Sequence, residues 1–182
     1  SGRQNHVTNL QYFAPYAAIE WRPRPDLKLN ASYQYELRQA FPAQQNGYAS
    51  FIDTQARWDA TSADRFTGRL LWRQQAAQFS YNSYVSEEFR ADYRRNFKWF
   101  GLDGGFAEAE FRFRIADFEG PAPADTPLRR HDTSPTVLLY LGEDFGKDWT
   151  VKISWSYNQF DSTIPRYVRN NRQYYLSVTR NF

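Results

Sequence analysis

Between Leu27 and Arg38 the chain reads LKLNASYQYELR, in which Leu27, Leu29, Ala31, Tyr33, Tyr35 and Leu37 alternate without a break against Lys28, Asn30, Ser32, Gln34, Glu36 and Arg38. A period of two marks a strand with one apolar and one polar face. The same dyad sets Ala107, Ala109, Phe111, Phe113 and Ile115 against Glu108, Glu110, Arg112 and Arg114. It sets Trp149, Val151, Ile153, Trp155 and Tyr157 against Thr150, Lys152, Ser154 and Ser156, and Tyr174, Leu176, Val178 and Phe182 against Tyr175, Ser177, Thr179 and Asn181. Weaker alternation covers residues 48–60 and 65–73. Residues 78–98 read two ways. Tyr81, Val85, Phe89, Tyr93 and Phe97 recur every four residues, as on a helix, whereas the odd/even division fits one long strand, the favoured reading.

The pattern predicts nine strands, at residues 16–21, 27–38, 48–60, 65–73, 78–98, 106–118, 136–143, 149–159 and 172–182. Several are about twice the usual strand length of roughly 5 to 6 residues and match the roughly 9 to 11 tilted residues that cross a bilayer. Their connections alternate in kind. RPRPD (22–26), TSAD (61–64), FGLDGG (100–105) and DFGKD (144–148) are short and rich in turn formers, whereas residues 39–47, 119–135 and 160–171 form long polar loops. Short turns at one end and long loops at the other are the pattern of an outer-membrane barrel. Such barrels normally have an even strand number. Either an extra strand through His6 to Tyr12 turns tightly near Ala14 and Pro15 to make ten, or the chain is the C-terminal part of a larger barrel.

Composition sharpens this expectation. The 182 residues are 19% aromatic, with 13 Tyr, 15 Phe and 6 Trp, yet the mean hydropathy is -0.79. A disordered polar chain is poor in aromatics, so the rings need a use. Trp21, Trp58, Trp99 and Trp149 each lie near a short turn, with Phe66, Phe106, Phe145 and Phe182, as a girdle at the membrane interface requires. Tyr33, Tyr35, Tyr48, Trp72 and Tyr157 lie towards the long loops and suit a second girdle. No segment has the apolar length of a membrane-spanning helix, and the absence of Cys excludes a disulfide framework and a thiolate metal site. The net charge of +3 is a small excess over many charges of both signs and gives little support for nucleic-acid binding.

If the apolar faces meet lipid, the opposite faces line an interior. The candidate lumen-lining residues are Lys28, Glu36, Arg38, Asp53, Arg57, Asp59, Arg69, Arg73, Arg90, Arg94, Glu108, Glu110, Arg112, Arg114 and Lys152. Opposite charges there either pair into a closed interior, favoured for a barrel of eight to ten strands, or line a hydrated channel. Catalytic chemistry is thin. The histidines are His6 and His131, and RRHDTS around His131 places His131, Asp132 and Ser134 too close in sequence to be read as a converging triad. Neither metal spacing nor a phosphate cradle is present, so the expectation is a non-enzyme without cofactor.

The terminal RQYYLSVTRNF, with Tyr174, Leu176 and Val178 leading to Phe182, resembles the assembly signal of Gram-negative outer-membrane β-barrel proteins. The resemblance implies an outer-membrane location and recognition by the barrel-assembly machinery, and marks Phe182 as the natural C-terminus. Arg180 departs from the usual apolar step. From Arg129 onward, an Arg-Asp element, a hairpin, STIP, RNN and a final strand look like the barrel end of surface lipoprotein assembly modifiers and other tetratricopeptide-repeat-linked barrels. That resemblance implies an upstream periplasmic domain and a role in lipoprotein translocation. TonB-dependent receptors end in comparable strands. The expectation is therefore an all-β, antiparallel up-and-down transmembrane barrel of eight to ten visible strands, whole or part of a larger one. It acts as a pore or translocation channel, alone or with another subunit, or as a non-conducting adhesion barrel whose long loops bind a partner.

Overall fold

The protein was examined as a computed structural model, which describes residues 10–40, 46–99, 102–121, 128–145 and 148–180. The strands are β1 (Leu10–Phe13), β2 (Tyr16–Arg24), β3 (Leu27–Ala40), β4 (Gly47–Asp59), β5 (Asp64–Ala77), β6 (Tyr84–Trp99), β7 (Leu102–Phe118), β8 (His131–Phe145), β9 (Trp149–Ser162) and β10 (Arg169–Arg180). All belong to one antiparallel sheet in which neighbours in sequence are neighbours in space. The nine expected strands are present, and the sheet is open. β1 and β2 lie along one side of β3, β10 pairs only with β9, and no described pairing joins the two edges.

Two local expectations are corrected. The chain does not turn at Ala14 and Pro15. β1 pairs Phe13 with Leu37, β2 pairs Tyr16 with Gln34, and the register passes the gap unchanged. Pro15 has no N–H to donate, but its carbonyl accepts the Tyr35 N–H at 3.1 Å, so one edge strand is merely interrupted. An edge is where a sheet tolerates proline. Residues 78–98 are not one strand either. β5 continues to Ala77, and a six-residue connection with a 3-10 turn at Ser80–Asn82 precedes β6. The buried Ser83 anchors this corner, its Oγ accepting the Ala77 N–H at 2.9 Å.

The connections retain their two classes. Pro25 and Asp26 alone link β2 to β3, and residues 60–63 link β4 to β5. At the opposite end the connections are longer and bonded to one another. Glu119 and Gly120 donate to the Ser83 and Ser80 carbonyls, and Thr163 donates to the His131 carbonyl.

The sheet is inside out relative to a water-soluble protein. Its large apolar side chains are exposed, including Ile19, Ile52, Leu70, Phe89, Phe111, Leu139, Ile153 and Leu176. Its few buried groups are mixed, with Ala49, Phe106, Ala116 and Ile164 beside Ser83, Ser86, Glu110, Asp132 and Glu143. Exposed leucines taken singly are ordinary, whereas a continuous apolar face beside buried charge is the informative combination.

Candidate functional site

Residues directly opposite in an antiparallel ladder share a face, so the register separates the two surfaces. One row runs Asn30, Gln55, Arg69, Arg90, Arg112, Thr136, Asn158 and Asn171 from β3 to β10. The adjacent row on the turn side runs Lys28, Arg57, Thr67, Asp92, Glu110, Leu138, Ser156 and Gln173. By strand alternation Glu36, Arg38, Asp53, Asp59, Arg73, Arg94, Glu108, Arg114 and Lys152 share this face. All fifteen candidate interior charges thus occupy one surface.

Its electrostatics follow from the register. Arg69, Arg90 and Arg112 stand side by side on β5, β6 and β7, an arrangement of like charges that is unfavourable alone. Carboxylates flank the row. Arg69 donates through Nε to Asp53 Oδ1 at 2.7 Å, Arg90 lies 3.1 Å from Glu88 and 3.4 Å from Glu110, and Arg112 pairs with Glu110. Glu110 is only 9% exposed, so its arginines compensate a charge largely removed from water. Towards the turns, Lys28 bonds Glu20 at 2.7 Å, Arg57 and Arg65 converge on Asp59, and Arg94 approaches Glu108 at 3.8 Å. Arg38 pairs with Glu36, and Lys152 lies over the Tyr140 ring at 4.6 Å. Asp92, Glu108 and Glu110 each bring a carboxylate oxygen within 4.8 Å of the others, a set able to approach a cation but interleaved with Arg90, Arg94 and Arg112.

The opposite face is mainly apolar between two aromatic zones, with Glu87 on it opposite Trp72. Near the turns Trp58, Phe66 and Tyr93 stack across β4, β5 and β6, with centroid separations of 5.7 and 4.8 Å. Their polar tips reach turn-side carboxylates. Trp58 Nε1 donates to Asp26 Oδ2 at 3.1 Å, and Tyr93 Oη donates to Asp64 Oδ1 at 2.7 Å. Trp21, Phe145 and Trp149 are exposed on the same face, with Arg180 over Trp149 at 5.3 Å. Tyr35 and Tyr48 stack at 5.9 Å near the long connections. From Trp58 to Tyr48 along β4 the span is about 25 Å, taking about 3.3 Å per residue and a tilt of roughly 40°. Within it the β4 positions on this face are Ala56, Thr54, Ile52 and Ser50, of which Ala56 and Ile52 are exposed and Thr54 and Ser50 half-buried. Both hydroxyls have partners, Thr54 donating to the Leu70 carbonyl and Ser50 meeting Tyr33 Oη.

Other expected residues fall differently. Phe106 is 3% exposed and lies on the charged face beneath Arg94, whose guanidinium is 4.1 Å from its ring. Its even number, shared with Glu108, was the signal that it does not belong to the girdle. Trp99 ends β6, and its side chain lies outside the described residues, as does Phe182. Tyr174, Leu176 and Val178 line the apolar face of the edge strand β10. His131 and Asp132 point to opposite faces. His131 Nδ1 meets Asp117 at 2.5 Å, and Asp132 binds Arg130 at 2.6 Å, so His131, Asp132 and Ser134 do not converge. Alternation did not single out Phe51, Tyr84 and Phe118, rings on the charged face that carry Arg73, Arg114 and Arg130.

Among the described residues no helix is long and apolar enough to cross a membrane, which leaves crossing by strands open. Comparison with known proteins finds no matching family model, curated protein or solved structure.

Proposed function

We propose that the chain forms the wall of an outer-membrane channel in a Gram-negative bacterium, its apolar face against lipid and its charged face lining a water-filled path. The carrying observation is the reversed distribution of polarity, an apolar band of about 25 Å between aromatic zones backed by a face of arginines and carboxylates. A charge on the lipid side costs roughly 2 to 4 kcal/mol near the midplane, which accounts for how few charges that face carries, Glu87 opposite Trp72 being one. The open sheet supports part of a larger barrel. Nine strands of alternating direction leave the outer edges, β1–β2 and β10, parallel to each other. Direct closure would make a parallel seam, whereas wholly antiparallel closure requires an odd number of further strands. These strands come from a longer polypeptide or from another subunit.

The ion pairing of the charged face favours a second reading, a silent barrel that presents its long loops to a partner. Planar-bilayer recording separates the two. Ohmic single-channel current is expected for the channel, and a folded, inserted protein without current rejects it. The surface-lipoprotein and TonB-dependent readings rest on the terminal segment alone and are tested by whether lipoprotein display or siderophore uptake is lost when the gene is deleted.

A further inference from the structure

The arginines of the charged face are not all compensated. Those in its middle and turn-side half have carboxylate partners, but among the described residues three towards the long connections, Arg73, Arg114 and Arg169, have none. Arg73 and Arg114 form no ion pair among the described residues, although both stand on neighbouring rows around Tyr84. The Arg73 guanidinium lies 4.8 Å from the Phe51 ring and 5.2 Å from the Tyr84 ring, and Arg114 lies 5.8 Å from Tyr84. Arg73 donates one Nη2 bond to Gln75 Oε1 at 2.7 Å, while its Nε is buried and has no partner. Nearby carboxylates are engaged elsewhere. Glu88, opposite Arg114, turns to Arg90; Asp132 holds Arg130; Glu36 holds Arg38. Around Tyr84 the local excess is therefore two positive charges beside aromatic rings, with Arg169 a third over Phe160.

Beside Arg114, and without Arg73 in its lining, is a recess of about 210 Å³ whose walls include Tyr84, Arg114, Phe118, Arg130, Asp132 and Phe160. Its floor is built firmly. Arg130 is sandwiched between Phe118 at 4.4 Å and Tyr167 at 3.9 Å while Asp132 fixes its charge. Phe118 and Tyr84 are packed together at 5.2 Å. At the far wall Arg169 covers Phe160 at 5.2 Å. Guanidinium planes stacked on rings keep their in-plane N–H groups directed outward, the geometry that receives a carboxylate. The rings supply flat apolar walls and Asp132 guards against a second negative charge.

We propose that this recess is a binding station for a small organic monoanion, a carboxylate carried on a single ring, with the anionic group on Arg114 and the ring against Phe118 and Phe160. The volume sets the size limit, being below the roughly 300 to 1,000 Å³ of drug-sized sites. The station deepens the channel reading, since it requires the charged face to be water-accessible, and it names the class of solute that would pause there.

The test uses the full chain in detergent micelles, with benzoate as probe, followed by calorimetry and by displacement of its NMR signal. Saturable benzoate binding is expected. Arg114→Gln is expected to weaken it at least tenfold, Arg114→Lys, which keeps the charge but loses the planar fork, by less, and Arg73→Gln, outside the recess lining, least of all. Benzyl alcohol, equal in shape and uncharged, is expected not to bind. Absence of saturable binding by the folded protein, binding unchanged in Arg114→Gln, or equal binding of benzyl alcohol overturns the station. Folding of each variant is checked by heat-modifiable gel mobility, and because Arg114 lines an open recess its substitution avoids the burial problem of Arg73. Failure of the channel reading is read separately. Benzoate binding in a protein silent in bilayers rejects conduction and keeps the station, whereas ohmic current without benzoate binding does the reverse.

Discussion

Leu70 and Leu71 are adjacent, chemically identical and on opposite faces of β5, so placing arginine at each isolates the surroundings from the substitution itself. Leu70 is 58% exposed and sits between Thr54 and Phe89, midway along the apolar band. Leu71 sits between Asp53 and Glu88 on the charged face. If the apolar face meets lipid, Leu70→Arg carries a guanidinium to the bilayer midplane at a cost of about 2 to 4 kcal/mol. Leu71→Arg enters between two carboxylates, keeps a hydrocarbon stem against the sheet, and is expected to change stability by less than about 1 kcal/mol, the usual ceiling for partly exposed ion pairs. Urea unfolding from lipid vesicles, followed by tryptophan fluorescence and gel mobility, measures both. The predicted difference is about 1 to 4 kcal/mol, roughly a fivefold to nearly thousandfold change in the folding equilibrium. Equal costs, or a larger cost at Leu71, would refute the assignment of faces.

Three further outcomes follow from particular contacts. A Cβ at Gly142 would lie 2.7 Å from Phe106 Cε1, so Gly142→Val displaces a buried ring held under Arg94 and is expected to cost about 1 to 3 kcal/mol in the same unfolding assay. Asp53→Asn removes the charge that receives Arg69 and is expected to cost about 1 kcal/mol or less after solvent screening, with Arg69→Gln in the Asn background adding little in a double-mutant cycle. The carboxyl of Asp26, in the β2–β3 turn, is held below the usual aspartate value chiefly by the Arg24 hydrogen bond, with Trp58 contributing less. Because its folded value is depressed, its contribution is complete above the ordinary aspartate value of about 3.9 and is lost as pH falls through the folded value. Trp58 fluorescence should therefore show a transition below that pH which Trp58→Phe abolishes.

Strand existence and face were legible because a period of two survives any register, and even the weakly alternating β4 and β5 took their expected places. Positions whose role depends on the neighbouring strand were harder to read. Phe106 looks like a girdle ring by its nearness to a turn, and only Gly142 on β8 and Arg94 on β6 make room for it inside. Pro15 marks a turn in most contexts, but here Tyr35 completes the ladder through the proline carbonyl. The corner at Ser80–Asn82 has no Gly or Pro to announce it and depends on Ser83 bonding Ala77. The uncompensated pair Arg73 and Arg114 was visible only as two among many charges, since pairing is a property of neighbours. Alternation cannot report closure at all, because it is the same in an open sheet and in a barrel.

The central claim is that one face of this sheet meets lipid and the other meets water, and the absence of Cys makes it directly measurable. Single cysteines placed from Phe66 to Arg73, spin-labelled in vesicles, report collision with oxygen, which concentrates in lipid, and with a water-soluble nickel chelate. The account predicts alternation, with oxygen contact at Phe66, Gly68, Leu70 and Trp72 and chelate contact at Thr67, Arg69, Leu71 and Arg73. Chelate contact at Leu70, or no alternation along the strand, would contradict it.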